Sequence, residues 1–353
     1  MTEKNNFLIY GANGYTGQLI IREAIAKGQK PIIAGRNENE IKALAEQYDL
    51  PCSILDLTEI DKLDEALRTV KAVIHCAGPF HRTYEVMANA CIKNKTHYLD
   101  ITGEISVFEG LHKMDQSAKE ADIMLLPGSG FDVVPTDCLA AYLKSKLPTA
   151  THLELGFSGG SKPSKGTSLT MMESFSEGGK VRIDGELTKV PFGYKNKAFY
   201  INGKTLTAAT IPWGDVSTAY YSTGIGNIEV YTQMPAKQAK MMKYVDSFGW
   251  ILGNKSIQNW QRKKILSRPA GPSDEQRARA VSLVWGSVSD ADGNEYKAML
   301  NAPDGYTLTA KSAVLIAEKV INDNWKAGFQ TPSLAYGADL ILEIEGTKRS
   351  DLT

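Results

Sequence analysis

An apolar run, Phe7–Tyr10, leads directly into Gly11-Ala12-Asn13-Gly14-Tyr15-Thr16-Gly17, and the chain after Gly17 takes up the apolar spacing of a helix. A buried strand that turns through three glycines into a helix, with a second strand about twenty residues on, has few architectures open to it. Gly11 permits the tight turn. Gly14 lets backbone amides approach an anion with no Cβ in the way, and Gly17 lets helix and strand pack closely. An anionic diphosphate then sits at the positive end of the helix, where N–H groups have no partner within the helix. Asn13, Tyr15 and Thr16 complete the turn as candidate contacts to a dinucleotide.

The pattern continues beyond the turn. Short β-branched runs at Phe7–Tyr10, Pro31–Ala34, Cys52–Leu55, Ala72–Cys76, Thr96–Asp100 and Ile123–Leu126 alternate with stretches of helical spacing. Those stretches are Gln18–Lys27, Glu38–Tyr48, Glu59–Thr69, Tyr84–Lys93 and Ser106–Glu120. Strands that are apolar on both faces and joined by helices belong in a parallel sheet covered on both sides. The expected class is therefore α/β, with an N-terminal doubly wound Rossmann sheet. Thr58 is expected to cap the third helix, with Asp61 three residues on.

After about residue 150 the pattern changes. Ser158–Ser168 is rich in Gly, Ser and Lys and predicts a mobile loop, while Lys180–Pro191 holds an Asp184-Gly185 hairpin turn. Ala280–Val288 and Asn294–Leu300 predict a second hairpin, and Ala236–Ile251 a helix. Thr309–Asn322 and Ser333–Glu345 read as helices that return to the first domain. At 353 residues the chain is longer than one core usually grows. The expectation is a Rossmann domain of residues 1–150 and 304–353, with residues 151–303 inserted as an α+β substrate or lid domain.

The residue that follows the second strand separates the two pyridine nucleotides. Enzymes that take NAD place an acid there for the ribose hydroxyls; this chain reads Ala34-Gly35-Arg36-Asn37. A carboxylate repels a 2′-phosphate and a guanidinium grips it, so Arg36 predicts NADP(H). Asp56, after the third strand, borders the adenine or caps a helix. Past the fourth strand, Cys76, Ala77, Gly78 and Pro79 leave room for ribose and nicotinamide. Asp100, Glu104 and Asp132 follow the fifth and sixth strands and are the candidate catalytic carboxylates, each with a helix-cap or turn role as the alternative. Tyr98 and His75 lie on strands, where packing is the commoner role.

Composition removes other classes. Lys plus Arg and Asp plus Glu number 40 each, so no net field draws the chain to nucleic acid or to an anionic membrane. No apolar stretch approaches the roughly 18 residues a spanning helix needs, so no integral membrane segment is expected. Phe7–Tyr10 is too short for a signal-peptide core, and the expected location is the cytoplasm. Cys52, Cys76, Cys91 and Cys138 lack CxxC spacing and the five His lack HExxH, so free thiols and no metal are expected. The basic residues Lys162 and Lys165, and Arg262, Lys263, Lys264, Arg268, Arg277 and Arg279, either attract an anionic substrate tail or form a solvated face. The expected partner is a small-molecule substrate, and a homodimer is left open.

Taken together, GANGYTG at 11–17, AGR at 34–36, CAGPF at 76–80, YLDITGE at 98–104 and PGSGFDVVPTD at 127–137 resemble the saccharopine dehydrogenase-like oxidoreductases. That group includes saccharopine reductases and trans-acting enoyl reductases. PWGDVSTAYYSTGIGNIEVY at 212–231, RARAVSLVWG at 277–286 and the closing DGYTLTAKSA and TPSLAYGADLI stretches extend the likeness along most of the chain. The resemblance implies a Rossmann domain, an inserted α/β domain over the active site, and hydride transfer from NADPH to an imine or to a polarised C=C, with the shorter chain leaning to the enoyl side. A non-catalytic NADP(H) sensor or scaffold is the alternative. An atypical short-chain dehydrogenase needs Tyr-x-x-x-Lys after the fifth strand; only Tyr142 with Lys146 fits, and that pair follows the sixth.

Overall fold

The structure is a computed structural model and describes residues 6–174, 178–201, 203–242 and 255–352. The chain divides into two compact units, Met1–Val134 with Tyr306–Gly337, and Pro135–Gly305 with Ala338–Thr353. The first unit is built on six strands, β1 (Phe7–Tyr10), β2 (Ile32–Gly35), β3 (Cys52–Ile54), β4 (Ala72–His75), β5 (His97–Asp100) and β6 (Met124–Leu126). Their order across the sheet is β3-β2-β1-β4-β5-β6, and the short strand Gly328–Phe329 adds a seventh beside β6. Every pairing is parallel. This is the Rossmann arrangement that the alternating pattern predicts.

β1, β4 and β5 are buried along their whole length, as strands covered on both faces must be. Helix α1 (Tyr15–Ala26) turns Gly17, Ile20, Ile21 and Ala24 inward, a stripe at three- and four-residue spacing. Helices α2 (Glu38–Tyr48), α3 (Ile60–Arg68) and α4 (Tyr84–Asn94) fill the next crossovers. The expected helix Ser106–Glu120 is two, α5 (Ile105–His112) and α6 (Asp115–Ala121), divided at Lys113 and Met114, where the Met114 N–H bonds to Leu111 three residues back. Thr58 does not cap α3. Its N–H and hydroxyl both donate to Asp56 Oδ1, closing an Asx turn, and Glu59 takes the N-cap position.

The second unit holds a nine-stranded mixed sheet. His152–Ser158 and Asn227–Gln233 run parallel at its centre, and the remaining pairs are antiparallel. Both expected hairpins form. Gly179–Ile183 pairs with Glu186–Val190 through Asp184 and Gly185 at φ 48 and 86, the left-handed pair a tight two-residue turn requires. Val281–Ser289 pairs with Glu295–Pro303 around Asp290, whose carboxylate accepts the N–H groups of Asp292 and Asn294. Ile201, Ala208, Tyr231, Trp285 and Met299 form one cluster of this unit's core. Trp285 lies flat across its register partner Gly156, where any Cβ would meet the indole.

Other segments depart from expectation. Lys165–Ser174 is helical, so the predicted loop is confined to its first half. The expected helix Ala236–Ile251 is observed over Ala236–Met242, and the rest lies outside the described residues. Ser333–Glu345 is not one helix: Gly337, at φ 87, ends Pro332–Tyr336, and a single tight turn follows at Leu340–Glu343. Gly305–Ile321 and Pro332–Tyr336 do return to the first unit. The boundaries expected at 150 and 304 differ from this division at both ends. Most of the helix Val134–Lys146 and the last sixteen residues group with the second unit, because Lys348–Leu352 pairs with Glu295–Pro303 and Asp351 accepts a hydrogen bond from Tyr142. Among the described residues, no helix is long and apolar enough to cross a membrane.

Candidate functional site

In an open parallel sheet, the crevice for a ligand lies at the carboxyl ends of the strands where the strand order reverses, here between β1 and β4. Gly11 follows β1 at φ +81, and a Cβ there would lie 2.9 Å from the Ala77 nitrogen and 3.0 Å from the Cys76 carbonyl carbon. The glycine turn and the end of β4 are therefore in backbone contact, which brings Gly11 and the Cys76-Ala77 pair together. At Gly17 a Cβ would lie 2.5 Å from the Gly11 oxygen and 2.9 Å from Ala12 Cα, so α1 rests directly on the turn. Gly14 is different: it is exposed, and its Cβ position meets only the Gly11 oxygen, at 3.2 Å. Two glycines are explained by the protein's own packing, and the third is exposed at the helix N-terminus, crowded by the Gly11 oxygen alone.

The turn is braced from several sides. Gly11 and Ala12 donate to the Ala34 carbonyl, Gly14 to that of Gly11, and the Gln18 amide donates to the Asn13 carbonyl at 3.0 Å. The Asn13 side chain donates to Glu40 Oε2 at 2.6 Å. Tyr15 packs edge-on against Tyr306, with centroids 5.1 Å apart, and Thr16 lies half-buried in the first turn of α1.

Arg36 stands exposed just past β2 and makes no hydrogen bond among the described residues. Its charge is felt nearby. Burial and the Asp56 carboxylate push the Tyr10 phenol up to about 12, against a downward pull from Arg36. Asp56 is held below the usual carboxylate range by its Thr58 hydrogen bonds, with a smaller contribution from Arg36. Arg36 and Asp56 thus flank the end of β1, beside the glycine turn. Asp56 closes the Asx turn with Thr58 and does not cap the helix, whose N-cap is Glu59.

Past β4, Gly78 is exposed, Ala77 and Pro79 are half-buried, and the Gly78–Pro79 peptide is cis. Thr83 Oγ1 donates to the Ala77 carbonyl at 3.0 Å and lies 2.9 Å from Nε2 of the buried His75. Burial lowers His75 to about 3, so its ring is neutral, and pushes the Cys76 thiol well above its usual range.

The three candidate carboxylates separate. Asp100 is fully buried: Oδ1 accepts the N–H groups of Thr102 and Gly128 at 2.9 and 2.8 Å, and Oδ2 accepts the Tyr98 hydroxyl at 2.6 Å. It ties the ends of β5 and β6 and has no surface for a ligand, although burial raises it to about 6. Glu104 accepts the N–H groups of Phe80 and His81 at 2.8 and 3.0 Å and faces the His81 ring nitrogen at 2.8 Å. Both oxygens are acceptors in these bonds, so Glu104 anchors the Pro79–Arg82 turn and is not placed as a proton donor. Asp132 is half-buried with its carboxylate against the Gly103 backbone, where a Cβ would meet Oδ2 at 2.7 Å. Burial raises it to about 7.

Removing Glu104's acceptors leaves the half-buried Phe80 N–H without its partner and releases the exposed His81 N–H to solvent. Hydrogen bonds to a charged partner contribute about 1.5–3 kcal/mol each. Glu104→Ala is expected to lower the melting temperature by several degrees in a thermal scan, and an unchanged melt would remove Glu104 as the anchor.

Sequence reading missed three supports. Thr309 Oγ1 accepts the Phe131 N–H at 2.9 Å, and Ser312 donates to the Ser129 carbonyl at 2.6 Å, so the Gly305–Ile321 helix holds the loop that carries Asp132. No local pattern signals those contacts, which join residues about 180 positions apart. Glu40 was the third, and its signal was present: Asn37 and Glu40 stand at N-cap and N3 of α2.

Residues 7–126 match the family described as the saccharopine dehydrogenase NADP binding domain. A saccharopine dehydrogenase-like oxidoreductase of Mus musculus is 30% identical over 168 residues, 41% of this chain and 39% of that protein. A trans-acting enoyl reductase of Mycobacterium ulcerans is 24% identical over 138 residues, 37% and 33% of the two lengths. The chain's matches thus span well under half the length of these curated relatives. The apo saccharopine dehydrogenase (L-Glu forming) of Saccharomyces cerevisiae shares the fold at a TM-score of 0.68 and 15% identity, over 99% of this chain and 100% of that one.

Proposed function

We propose that this chain, whose residues 7–126 match the saccharopine dehydrogenase NADP binding domain, is an oxidoreductase that takes NADP(H) as its cofactor and delivers a hydride from NADPH to an electrophilic carbon of a small or acyl substrate. The observation that carries the reading is Arg36, exposed and without a hydrogen-bonded partner among the described residues, at the position where NAD enzymes place an acid. Gly14 supplies the complementary feature, an open approach at the positive end of α1. When bound, the cofactor supplies the hydride. The residues that would hold it are Gly11, Asn13, Gly14, Tyr15, Thr16 and Gly17 at the diphosphate, Arg36 and Asp56 at the adenosine end, and Cys76, Ala77, Gly78 and Pro79 toward the reacting ring.

Of the acceptor classes, we favour a polarised C=C over an imine or carbonyl. The choice rests on the Mycobacterium ulcerans relative, a trans-acting enoyl reductase; with any of these acceptors a proton must follow the hydride. Asp132 is suited to hold that proton, being raised to about 7 by burial. Mixing the protein with NADPH and an α,β-unsaturated acyl thioester should give steady loss of NADPH absorbance; oxidation with ketones or imines but not with the enoyl substrate would reverse this choice. The non-catalytic sensor reading draws on Asp100 and Glu104, both engaged in holding loops. Failure to oxidise NADPH with any of the three acceptor classes would favour it.

The raised Asp132 has a consequence for stability that needs no substrate. Its folded value, about 7, lies above the ordinary 3.8, so the folded state keeps the proton while the unfolded chain loses it. Asp132's contribution to stability therefore falls as pH rises from about 4 to about 7 and is level beyond. Asn mimics the protonated form, so Asp132→Asn should gain in melting temperature relative to the parent between pH 5 and pH 8. Parallel pH profiles for the two proteins would contradict the shift.

A further inference from the structure

Glu40 is an acid in the first turn of α2, four residues past Arg36, and its charge has the wrong sign for a site that takes a 2′-phosphate. Its hydrogen bonds show where that charge goes. Oε2 accepts the Asn13 amide at 2.6 Å and Oε1 accepts the Asn37 amide at 2.7 Å, while the Glu40 N–H donates to Asn37 Oδ1 at 3.4 Å. The carboxylate is thus turned to two neutral amides, and no ion pair joins it to Arg36. The Asn13 side chain also sits beside β2: its Oδ1 lies 3.2 Å from where a Cβ at Gly35 would be, so a larger residue at 35 would displace it. With Gln18 holding the Asn13 carbonyl, the centre of the glycine turn is clamped from α1, from β2 and from α2.

We propose that Glu40 is a positioning residue of the dinucleotide site: it fixes Asn13, and through it the diphosphate-binding turn, without taking part in the choice between NADPH and NADH. This rests on the reading of the first unit as the nucleotide site. The diphosphate is common to both nucleotides, so loosening the turn weakens both alike, whereas Arg36 touches what only one of them carries. An acid that acted through its charge would do the opposite, and its removal would favour NADPH alone.

The test measures dissociation constants for NADPH and NADH, by quenching of intrinsic fluorescence, together with the melting temperature of the ligand-free protein, for the parent, Glu40→Ala, Glu40→Gln and Arg36→Ala. Glu40→Ala should weaken both nucleotides by a common factor of about 5 to 10, the loss of order 1 kcal/mol expected for exposed hydrogen bonds. Its ligand-free melt should move little. Glu40→Gln should recover most of the affinity, since its oxygen accepts from Asn13 and its amide donates to Asn37 Oδ1. Tighter NADPH binding by Glu40→Ala, a change confined to one nucleotide, or a lowered melt with affinities unchanged would each overturn the proposal. If the parent binds neither nucleotide, the reading of the site fails first; if it binds NADPH in an Arg36-dependent way and Glu40→Ala matches it, the role of Glu40 alone fails.

Discussion

Gly17→Ala is expected to destabilise the first unit by about 2 kcal/mol or more and to abolish nucleotide binding, because the added Cβ has only backbone to meet. It would stand 2.5 Å from the Gly11 oxygen, 2.9 Å from Ala12 Cα and 3.0 Å from the Ala12 oxygen. No side chain can swing aside, so relief requires α1 to move off the turn, and overpacking of this kind costs about 1–3 kcal/mol where neighbours are able to adjust. The same displacement carries away the helix N-terminus on which a diphosphate depends. A thermal melt and an NADPH titration of the variant read the two effects. Gly159→Ala serves as the control, since its Cβ meets nothing within 4 Å. Wild-type stability in Gly17→Ala would mean that helix and turn are not in the contact described.

Arg36→Ala is expected to erase the preference for NADPH. One charge-assisted contact of about 1.5–3 kcal/mol corresponds to a ratio of roughly 10 to 150 between the two nucleotides. The variant should bind both with similar affinity, through a loss on the NADPH side alone. The fold should be unaffected, because Arg36 is exposed and gives no hydrogen bond among the described residues. Competition titrations of the variant measure the ratio, and one that stays at the parent value would assign the 2′-phosphate to another group.

The Rossmann sheet was legible because its signals are local. β1 and β4 are short, largely apolar runs, α1 carries a clear inward stripe, and three glycines mark one turn. The roles of Gly11 and Gly17 follow from backbone crowding that the spacing already implies. The candidate carboxylates were less legible, because a sequence shows that Asp100, Glu104 and Asp132 follow strands but not what their oxygens meet. The Gly128 and Thr102 amides claim Asp100, and the Phe80 and His81 amides claim Glu104. The Gly128, Phe80 and His81 bonds each span a crossover, beyond the reach of periodicity. The C-terminal end was misread for a similar reason. Ser333–Glu345 has helical spacing, but Gly337 interrupts it, and Lys348–Leu352 becomes a strand through a partner some fifty residues earlier.

Titration of the unaltered protein with NADPH and with NADH, each followed to saturation under the same conditions, tests the central claim that the first unit holds a dinucleotide with Arg36 reading its extra phosphate. Both should bind, NADPH at least about tenfold more tightly. Equal affinities, or tighter binding of NADH, would contradict the part assigned to Arg36, and no binding of either would leave the glycine turn as structure alone.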